Sequence, residues 1–95
     1  MRDYELVVIL SPEVPEENLS VVTDRIGAWI TDGGGEVTNV NVWGRRRLAY
    51  SINEQREGTY VVYQLKTTAK ATVELERSLR LAEDVLRHLI VRLGD

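Results

Sequence analysis

The chain has 95 residues, of which 43% are hydrophobic and 28% are charged, a balance typical of one small globular domain. Its net charge of −3 does not suit a general polycation that coats nucleic acid, and the lack of cysteine excludes disulfides, thiolate metal sites and thiol nucleophiles. We therefore expect a single domain over residues 1–95, without a membrane segment, because no apolar run approaches the ~20 residues that span a bilayer.

The first third of the chain predicts a strand followed by a helix. Residues 2–10 alternate with a period of two, which is typical of a strand. Pro15 suits the first position of a helix, and apolar residues then recur at steps of three and four over residues 19–30. Glycines 33–35 close that helix. Because phosphate loops precede their helix rather than follow it, we expect no anion site at these glycines.

The middle of the chain predicts a long β-hairpin. Residues 36–52 form its first arm, in which the alternation changes after Val37 and a glycine follows at Gly44. Both features indicate a bulge or a strong twist. A polar turn over residues 53–58 then leads into a second alternating strand, residues 59–66.

Three consecutive arginines lie on the first arm of this hairpin. Alternation places Arg45 and Arg47 on one face and Arg46 on the other, so no single buried carboxylate cluster can neutralise all three. They either bind RNA phosphates or protect an edge strand from aggregation through their positive charge. The alternate residues that follow are predicted to pack against the helices; they are Leu48, Tyr50 and Ile52.

The last third predicts a second helix and a final strand. Thr67 or Thr68 can cap the helix, whose buried stripe includes Leu75 and Leu79. Residues 85–93 are apolar on both faces, so their register in a sheet does not follow from the sequence.

The element order β-α-β-β-α-β predicts a fold of the α+β class. It is the ferredoxin-like, split βαβ arrangement, a four-stranded antiparallel sheet with two helices on one face. The other face is left uncovered. Its mixture of apolar, aromatic and charged side chains suits the docking of a protein or an RNA. The predicted partner-protein face consists of Glu5, Val7, Ile9, Tyr60, Val62 and Gln64.

Catalytic chemistry is not evident in this sequence. His88 is the single histidine and lies in a predicted strand, without a nucleophile or a set of metal-spaced carboxylates beside it. We predict a protein that is not an enzyme, with no catalytic residues, no cofactor, no metal site and no small-molecule substrate.

The segment GRRRLAYSI, from Gly44 to Ile52, resembles the characteristic segment of the bacterial small-subunit ribosomal protein family numbered six. The opening MRDYE, the Tyr63-Gln64 pair and the Leu79-Arg80 helix end resemble the same family, so the likeness covers essentially the whole chain. It implies a ribosomal protein without enzymatic activity. It also implies a protein that pairs with the small-subunit protein numbered eighteen, and that binds the central domain of the small-subunit ribosomal RNA in the cytoplasm or in an organelle.

The same resemblance implies which residues contact RNA. They are Arg2, Arg45, Arg46, Arg47, Arg80, Arg87 and Arg92. Two departures from the family pattern stand out. Ser51 occupies a position where many members have proline, which we expect to alter only the local stiffness of the strand. The chain also stops at Asp95, without the long acidic tail of some members.

A different class of function is an interaction or regulatory module of the same fold that associates with itself through the uncovered face. In that interpretation the arginines only protect a sheet edge. An acyl-phosphatase-like enzyme is disfavoured, because the phosphate loop and the asparagine-arginine pair of such enzymes are not evident.

Overall fold

The computed structural model describes residues 1–94 and confirms the predicted ferredoxin-like fold. Its elements are β1 (Arg2–Leu10), a 3₁₀ turn (Glu16–Asn18), α1 (Leu19–Asp32), β2 (Glu36–Ile52), β3 (Gln55–Thr67), α2 (Ala69–Leu81) and β4 (Val85–Arg92). The strands form one antiparallel sheet in the order β2-β3-β1-β4. The first and last strands of the chain are therefore neighbours, as the split βαβ arrangement requires.

Both helices pack on the same face of the sheet, which we call the helix face. α1 presents Val22, Ile26 and Ile30 to the core, and α2 presents Leu75 and Leu79, in agreement with the predicted stripes. The Thr68 side chain caps α2 by accepting a hydrogen bond from the Ala71 amide at 3.1 Å, while Pro15 directly precedes the 3₁₀ turn that leads into α1. The strand residues of this core are Tyr4, Leu6, Val8, Leu10, Val61, Tyr63 and Leu65.

Tyr63 joins this core to the first helix. Its ring is fully buried, and its hydroxyl donates a hydrogen bond to the Thr23 carbonyl of α1 at 2.8 Å. Burial, together with the nearby Asp24 carboxylate, raises the pKa of Tyr63 well above that of an ordinary tyrosine. The hydroxyl is therefore a neutral hydrogen-bond donor at physiological pH.

The turn of the hairpin is tighter than the sequence predicted. Asn53 and Glu54 have φ values of 49° and 67°, so the polar segment 53–58 contracts to a two-residue turn and β3 begins at Gln55 instead of residue 59. Positive φ at both central residues suits the right-handed twist of the flanking strands. The hairpin is consequently longer than expected, and it extends past the end of β1.

The bulge or twist predicted somewhere in β2 is present, with register shifts between Val37 and Asn39 and between Val42 and Gly44. Gly44 has a φ of +92°, a left-handed conformation in which a side chain would be strained. The extra residue at this second bulge shifts the side chains that follow to the opposite face. Val42 pairs with Val61 of the helix face, whereas Gly44 pairs with Tyr60 of the face without helices.

This shift overturns the predicted packing of Leu48 and Tyr50 against the helices. Leu48 is buried but lies outside the helix-side core, and 61% of Tyr50 is exposed. Ile52 is half-buried and pairs with Gln55 beside the turn. A further register shift lies between Arg47 and Ile52, so Ile52 does not continue the alternation of Leu48 and Tyr50.

The helices in the described part of the chain are short. α1 and α2 have 14 and 13 residues, and no helix within residues 1–94 is long and apolar enough to cross a bilayer.

Candidate nucleic-acid interface

The arginine triplet lies on the edge strand β2, opposite the first residues of β3. Arg45, Arg46 and Arg47 are all exposed, and they pair with Thr59, Gly58 and Glu57 respectively. The register puts Arg45 and Arg47 on the side of the helix face and Arg46 on the opposite side, which we call the open face. The predicted division of the triplet between two faces is thus present, and both faces of the hairpin carry positive charge.

Two side chains fix this hairpin to the loop after β1. The Arg45 guanidinium donates a hydrogen bond to the Pro12 carbonyl at 3.0 Å, and the Gln55 amide donates to a Glu13 carboxylate oxygen at 2.8 Å. An arginine has five N–H groups, so Arg45 keeps donors for a ligand after this bond is made. The loop therefore orients Arg45 without neutralising it.

On the open face, Arg46 stacks over an aromatic pair. Its guanidinium carbon lies 5.3 Å from the centroid of the Trp43 ring. Trp43 in turn stacks with Tyr60 of β3, with ring centroids 6.4 Å apart and planes inclined by 6°. The bulge at Gly44 creates this row, because Trp43 is the extra residue that it inserts. Trp43 was not among the predicted site residues, although its position directly before the glycine and the arginines was a usable signal.

The hairpin tip reaches across the open face to the far edge of the sheet. Arg87 of β4 donates a hydrogen bond through Nη1 to the Tyr50 hydroxyl. Arg87 lies on the open face because it pairs with Ile9 of β1. β4 and β2 are opposite edges of the sheet, so this contact brings Arg87 towards the hairpin that carries the triplet.

The other arginines predicted to contact RNA are not all near the triplet. Arg2 pairs with Thr67, and Arg92 pairs with Tyr4, so both belong to the end of the sheet away from Arg45. β1 has nine residues, which separates its ends by about 26 Å. Arg80 is exposed in the last turn of α2, on the helix side, near the triplet end where β4 begins. The seven arginines thus occupy two ends and two layers of the fold.

The open face carries the residues predicted for partner docking. Strand register aligns Glu5 with Gln64, Val7 with Val62, and Ile9 with Tyr60. Their exposure is uneven, however, and the most buried side chains of the set are Ile9 and Val62, at 8% and 6% exposed.

β4 supplies further apolar surface to the open face. Leu89 pairs with Val7 and Val91 pairs with Glu5, and these side chains are 55% and 43% exposed. They were not predicted, because the register of β4 was open. His88 pairs with Val8 on the helix side and is half-buried.

Within residues 1–94, no group of three or more His, Cys, Asp or Glu side chains is arranged to hold a metal ion. The same residues contain no buried side-chain nitrogen or oxygen without a hydrogen-bond partner. The one salt bridge described in this part of the chain joins Arg25 to Asp84 at 2.6 Å, and Arg25 also lies 5.5 Å from the centroid of the Trp29 ring. These contacts tie α1 to the loop before β4 and are structural.

Together, these elements define a ferredoxin-like protein with an arginine-rich hairpin at one end of a sheet face that no helix covers. Comparison with known proteins identifies the family. The family described as Ribosomal protein S6 matches residues 3–92, and this chain belongs to it.

Relatives and a solved structure match over nearly the whole chain. The small ribosomal subunit protein bS6 of Desulforamulus reducens is 41% identical over 95 residues, covering all of both chains. That of Beutenbergia cavernae is 48% identical over 92 residues, covering 97% of this chain and 96% of its own. The crystal structure of 30S ribosomal protein S6 from Thermotoga maritima has a TM-score of 0.91 at 30% identity, covering 96% of this chain and 86% of that one.

Family membership confirms the predicted identity of the chain as a protein of the bacterial small ribosomal subunit, which is a cytoplasmic particle. This family consists of structural ribosomal proteins and is not an enzyme family. The roles of individual arginines and of the open face remain predictions.

Proposed function

We propose that this chain binds the central domain of the small-subunit ribosomal RNA together with the small-subunit protein numbered eighteen, and so supports assembly of the subunit. The observation that carries the RNA assignment is the cluster of cations at one end of the sheet. Arg45, Arg46 and Arg47 are exposed on a hairpin anchored by Pro12, and Arg87 is drawn towards them by Tyr50. Planar guanidinium groups are well suited to bidentate contacts with phosphate.

The acidic net charge is compatible with this function. A net charge of −3 disfavours binding to nucleic acid at random, but a local cluster of arginines still attracts phosphate within a Debye length, about 8 Å at physiological salt. A basic partner protein supplies the remaining attraction, and complementary charge favours its pairing with an acidic protein. We infer that the pair of proteins binds the RNA more tightly than this chain alone.

The remaining arginines extend the proposed contact. Arg80 adds positive charge near the triplet end of the fold, on the helix side. Along β1, Arg2 lies about 26 Å from the triplet end and Arg92, which pairs with Tyr4, lies about 20 Å from it, so they meet a different stretch of the RNA backbone.

We assign partner docking to the open face. Val62, Val7 and Leu89 form a row of apolar side chains across β3, β1 and β4, and the next row consists of Gln64, Glu5 and Val91. An apolar centre beside a carboxylate suits a partner that combines apolar and basic side chains.

The phosphate assignment is tested by the double substitution Arg45→Ala and Arg47→Ala. We expect the affinity of the protein pair for its ribosomal RNA fragment to fall about tenfold to a hundredfold at low salt. Each lost phosphate contact also removes released counterions, so the slope of log Kd against log salt should flatten by about 1 to 2. Filter binding or fluorescence anisotropy over a salt series measures both quantities.

Lys70→Ala with Arg77→Ala is a matched control for that experiment. It removes the same two charges from exposed positions of α2. This control should change the salt slope little, and thermal unfolding should show that both double variants remain folded. An unchanged salt slope in the Arg45/Arg47 variant would refute the phosphate assignment.

Docking on the open face is tested with Leu89→Asp, at a position that is 55% exposed. We expect this variant to lose co-purification with the protein numbered eighteen, because a carboxylate enters the apolar row. Val73→Asp on α2 is the matched control, since Val73 is 65% exposed on the opposite layer. If both variants retained the partner equally, the docking surface would have to lie elsewhere on the protein.

A further inference from the structure

The row formed by Tyr60, Trp43 and Arg46 is unlike the rest of the open face. Its two rings are nearly parallel, and the guanidinium of Arg46 caps the outer ring. Trp43 is 47% exposed although it is the largest kind of apolar side chain. Exposed aromatic rings beside arginine are the means by which proteins bind the faces of unpaired RNA bases.

We propose that Trp43 is a stacking site for one unpaired base of the RNA. The base takes the place now held by Arg46, and Arg46 turns to the adjoining phosphate. This inference rests on the proposed RNA function and adds to it a specific ligand, an unstacked nucleobase, and a residue that phosphate binding does not require.

The position of Arg46 supports this exchange. Within residues 1–94 its guanidinium makes no hydrogen bond or ion pair, and its described contact is with the Trp43 ring. A cation–π contact at an exposed site is weaker than the stacking of a base on an aromatic ring. A base can therefore displace Arg46 favourably, and the released guanidinium gains a phosphate.

The backbone around Trp43 holds the ring in place for such a ligand. Trp43 is the residue inserted by the bulge, and Gly44 beside it adopts a φ of +92°. Tyr60 supports the inner side of the ring from the neighbouring strand. The ring is thus oriented before binding, and little side-chain freedom remains to be lost when a base stacks on it.

Charge decides between an RNA base and a protein side chain as the occupant. Arg46 lies on the ring itself, and Arg45 and Arg47 flank it along the strand. Three cations in succession repel a basic partner protein and attract a chain of phosphates. The apolar rows of the open face, centred on Val7, lie further along the sheet and remain available to a protein.

The test compares two six-unit probes with equal numbers of phosphates. One is the ribo-oligonucleotide of six adenosines, and the other is an oligomer of tetrahydrofuran spacers that carries no bases. The full-length chain with Trp29→Phe retains Trp43 as its single tryptophan, so its fluorescence reports on this ring alone. We expect the adenosine probe to quench this fluorescence and to bind about tenfold more tightly than the spacer probe at low salt.

A second pair of variants keeps the test decisive if Trp29→Phe proves unstable. In the otherwise unaltered chain, Trp43→Leu should reduce affinity for the adenosine probe to that of the spacer probe, measured by anisotropy of an end label. Trp43→Phe should retain most of the preference, because a phenyl ring still stacks. Neither change should alter binding of the spacer probe.

The two proposals fail in different ways. Equal binding of both probes, without quenching, would overturn base stacking and leave phosphate binding by the triplet intact. A preference for adenosine that survives Trp43→Leu would also overturn it. Absence of binding by either probe at low salt would overturn base stacking by this chain, whereas phosphate binding by the protein pair is decided separately by the salt slope of the Arg45/Arg47 variant.

Discussion

The two faces of the sheet are built from the same strands but obey different constraints. On the helix face, Leu6, Val8 and Tyr63 are fully buried beneath α1 and α2. On the open face the neighbouring positions range from buried Ile9 to Leu89, which is 55% exposed. Since successive residues of a strand point to opposite faces, each strand contributes to both environments at once.

The difference separates stability from binding within one sheet. Burial of the helix face supplies the hydrophobic driving force, so its side chains are fixed by volume and shape. The open face contributes less to the core, so it can carry polar and aromatic side chains such as Glu5, Trp43 and Arg46. Substitutions that test one face should therefore leave the other property largely unchanged.

The largest expected effect comes from truncating a leucine on each face. Leu6→Ala should lower the free energy of unfolding by about 2–5 kcal/mol, because it leaves a cavity beneath the helices. Leu89→Ala removes a side chain of the same size from the open face and should cost less than about 0.5 kcal/mol. Urea denaturation of the two variants measures the difference.

The same two variants should also differ in their affinity for the partner protein. Leu6→Ala protein that is still folded should retain its affinity for the partner protein, whereas Leu89→Ala should weaken it. If the two substitutions cost the same in stability, the open face would be part of the core, and its assignment as a docking surface would lose its basis.

The open face is not loosely packed everywhere, and Gly58 is closely surrounded by β1. A Cβ at Gly58 would lie 2.4 Å from Ile9 Cγ2 and 3.1 Å from the Leu10 carbonyl oxygen. Gly58→Ala should therefore destabilise the fold by about 1–3 kcal/mol, the usual cost of overpacking. Chemical denaturation measures this loss.

A double-mutant cycle with Ile9→Ala identifies the cause. That change removes the Cγ2 atom in the way, so Gly58→Ala should cost distinctly less in its presence. Strictly additive costs would show that the strain lies in the backbone and not in the contact with Ile9.

Much of this fold follows from the sequence because each element carries its own periodic signal. The alternation of residues 2–10 assigned Val7 and Ile9 to the open face, and the structure agrees. Thr67 or Thr68 was predicted to cap α2, and Thr68 does so. A bulge or strong twist somewhere in β2 was also expected from Val37 and Gly44, and register shifts are present at both places. These features are local, so a short stretch of sequence is enough to specify them.

The candidate site could be predicted only in part because it depends on long-range geometry. The arginine triplet was evident from the sequence. The bulge at Trp43, however, reverses the side to which Leu48 and Tyr50 point, and the alternation of apolar residues does not reveal where an extra residue is inserted. The contact between Tyr50 and Arg87 joins opposite edges of the sheet, and it requires the register of β4. Because β4 is apolar on both of its faces, its sequence does not indicate which residues pair with β1.

The smallest of these effects concerns the hydroxyl groups of two tyrosines, one on each face. Tyr63→Phe should lower the free energy of unfolding by about 1 kcal/mol at neutral pH, because it removes the buried hydrogen bond to the Thr23 carbonyl. Tyr50→Phe is the matched control, since Tyr50 is 61% exposed, and it should cost a few tenths of a kcal/mol at most. Denaturant titrations at pH 7 compare the two.

The stability effect of Tyr63→Phe also depends on pH. Burial raises the pKa of Tyr63 in the folded state, so the neutral hydroxyl is favoured by folding. Its stabilising effect is fully present below the pKa of an unfolded tyrosine, about 10, and is lost as the pH rises above that value towards the folded pKa. The stability gap between the unaltered chain and Tyr63→Phe should therefore narrow above about pH 10. If the gap for Tyr63→Phe stayed constant up to pH 11, the Tyr63 hydroxyl would ionise while the protein remains folded. The helix face would then be more accessible to water at Tyr63 than the burial of its ring indicates.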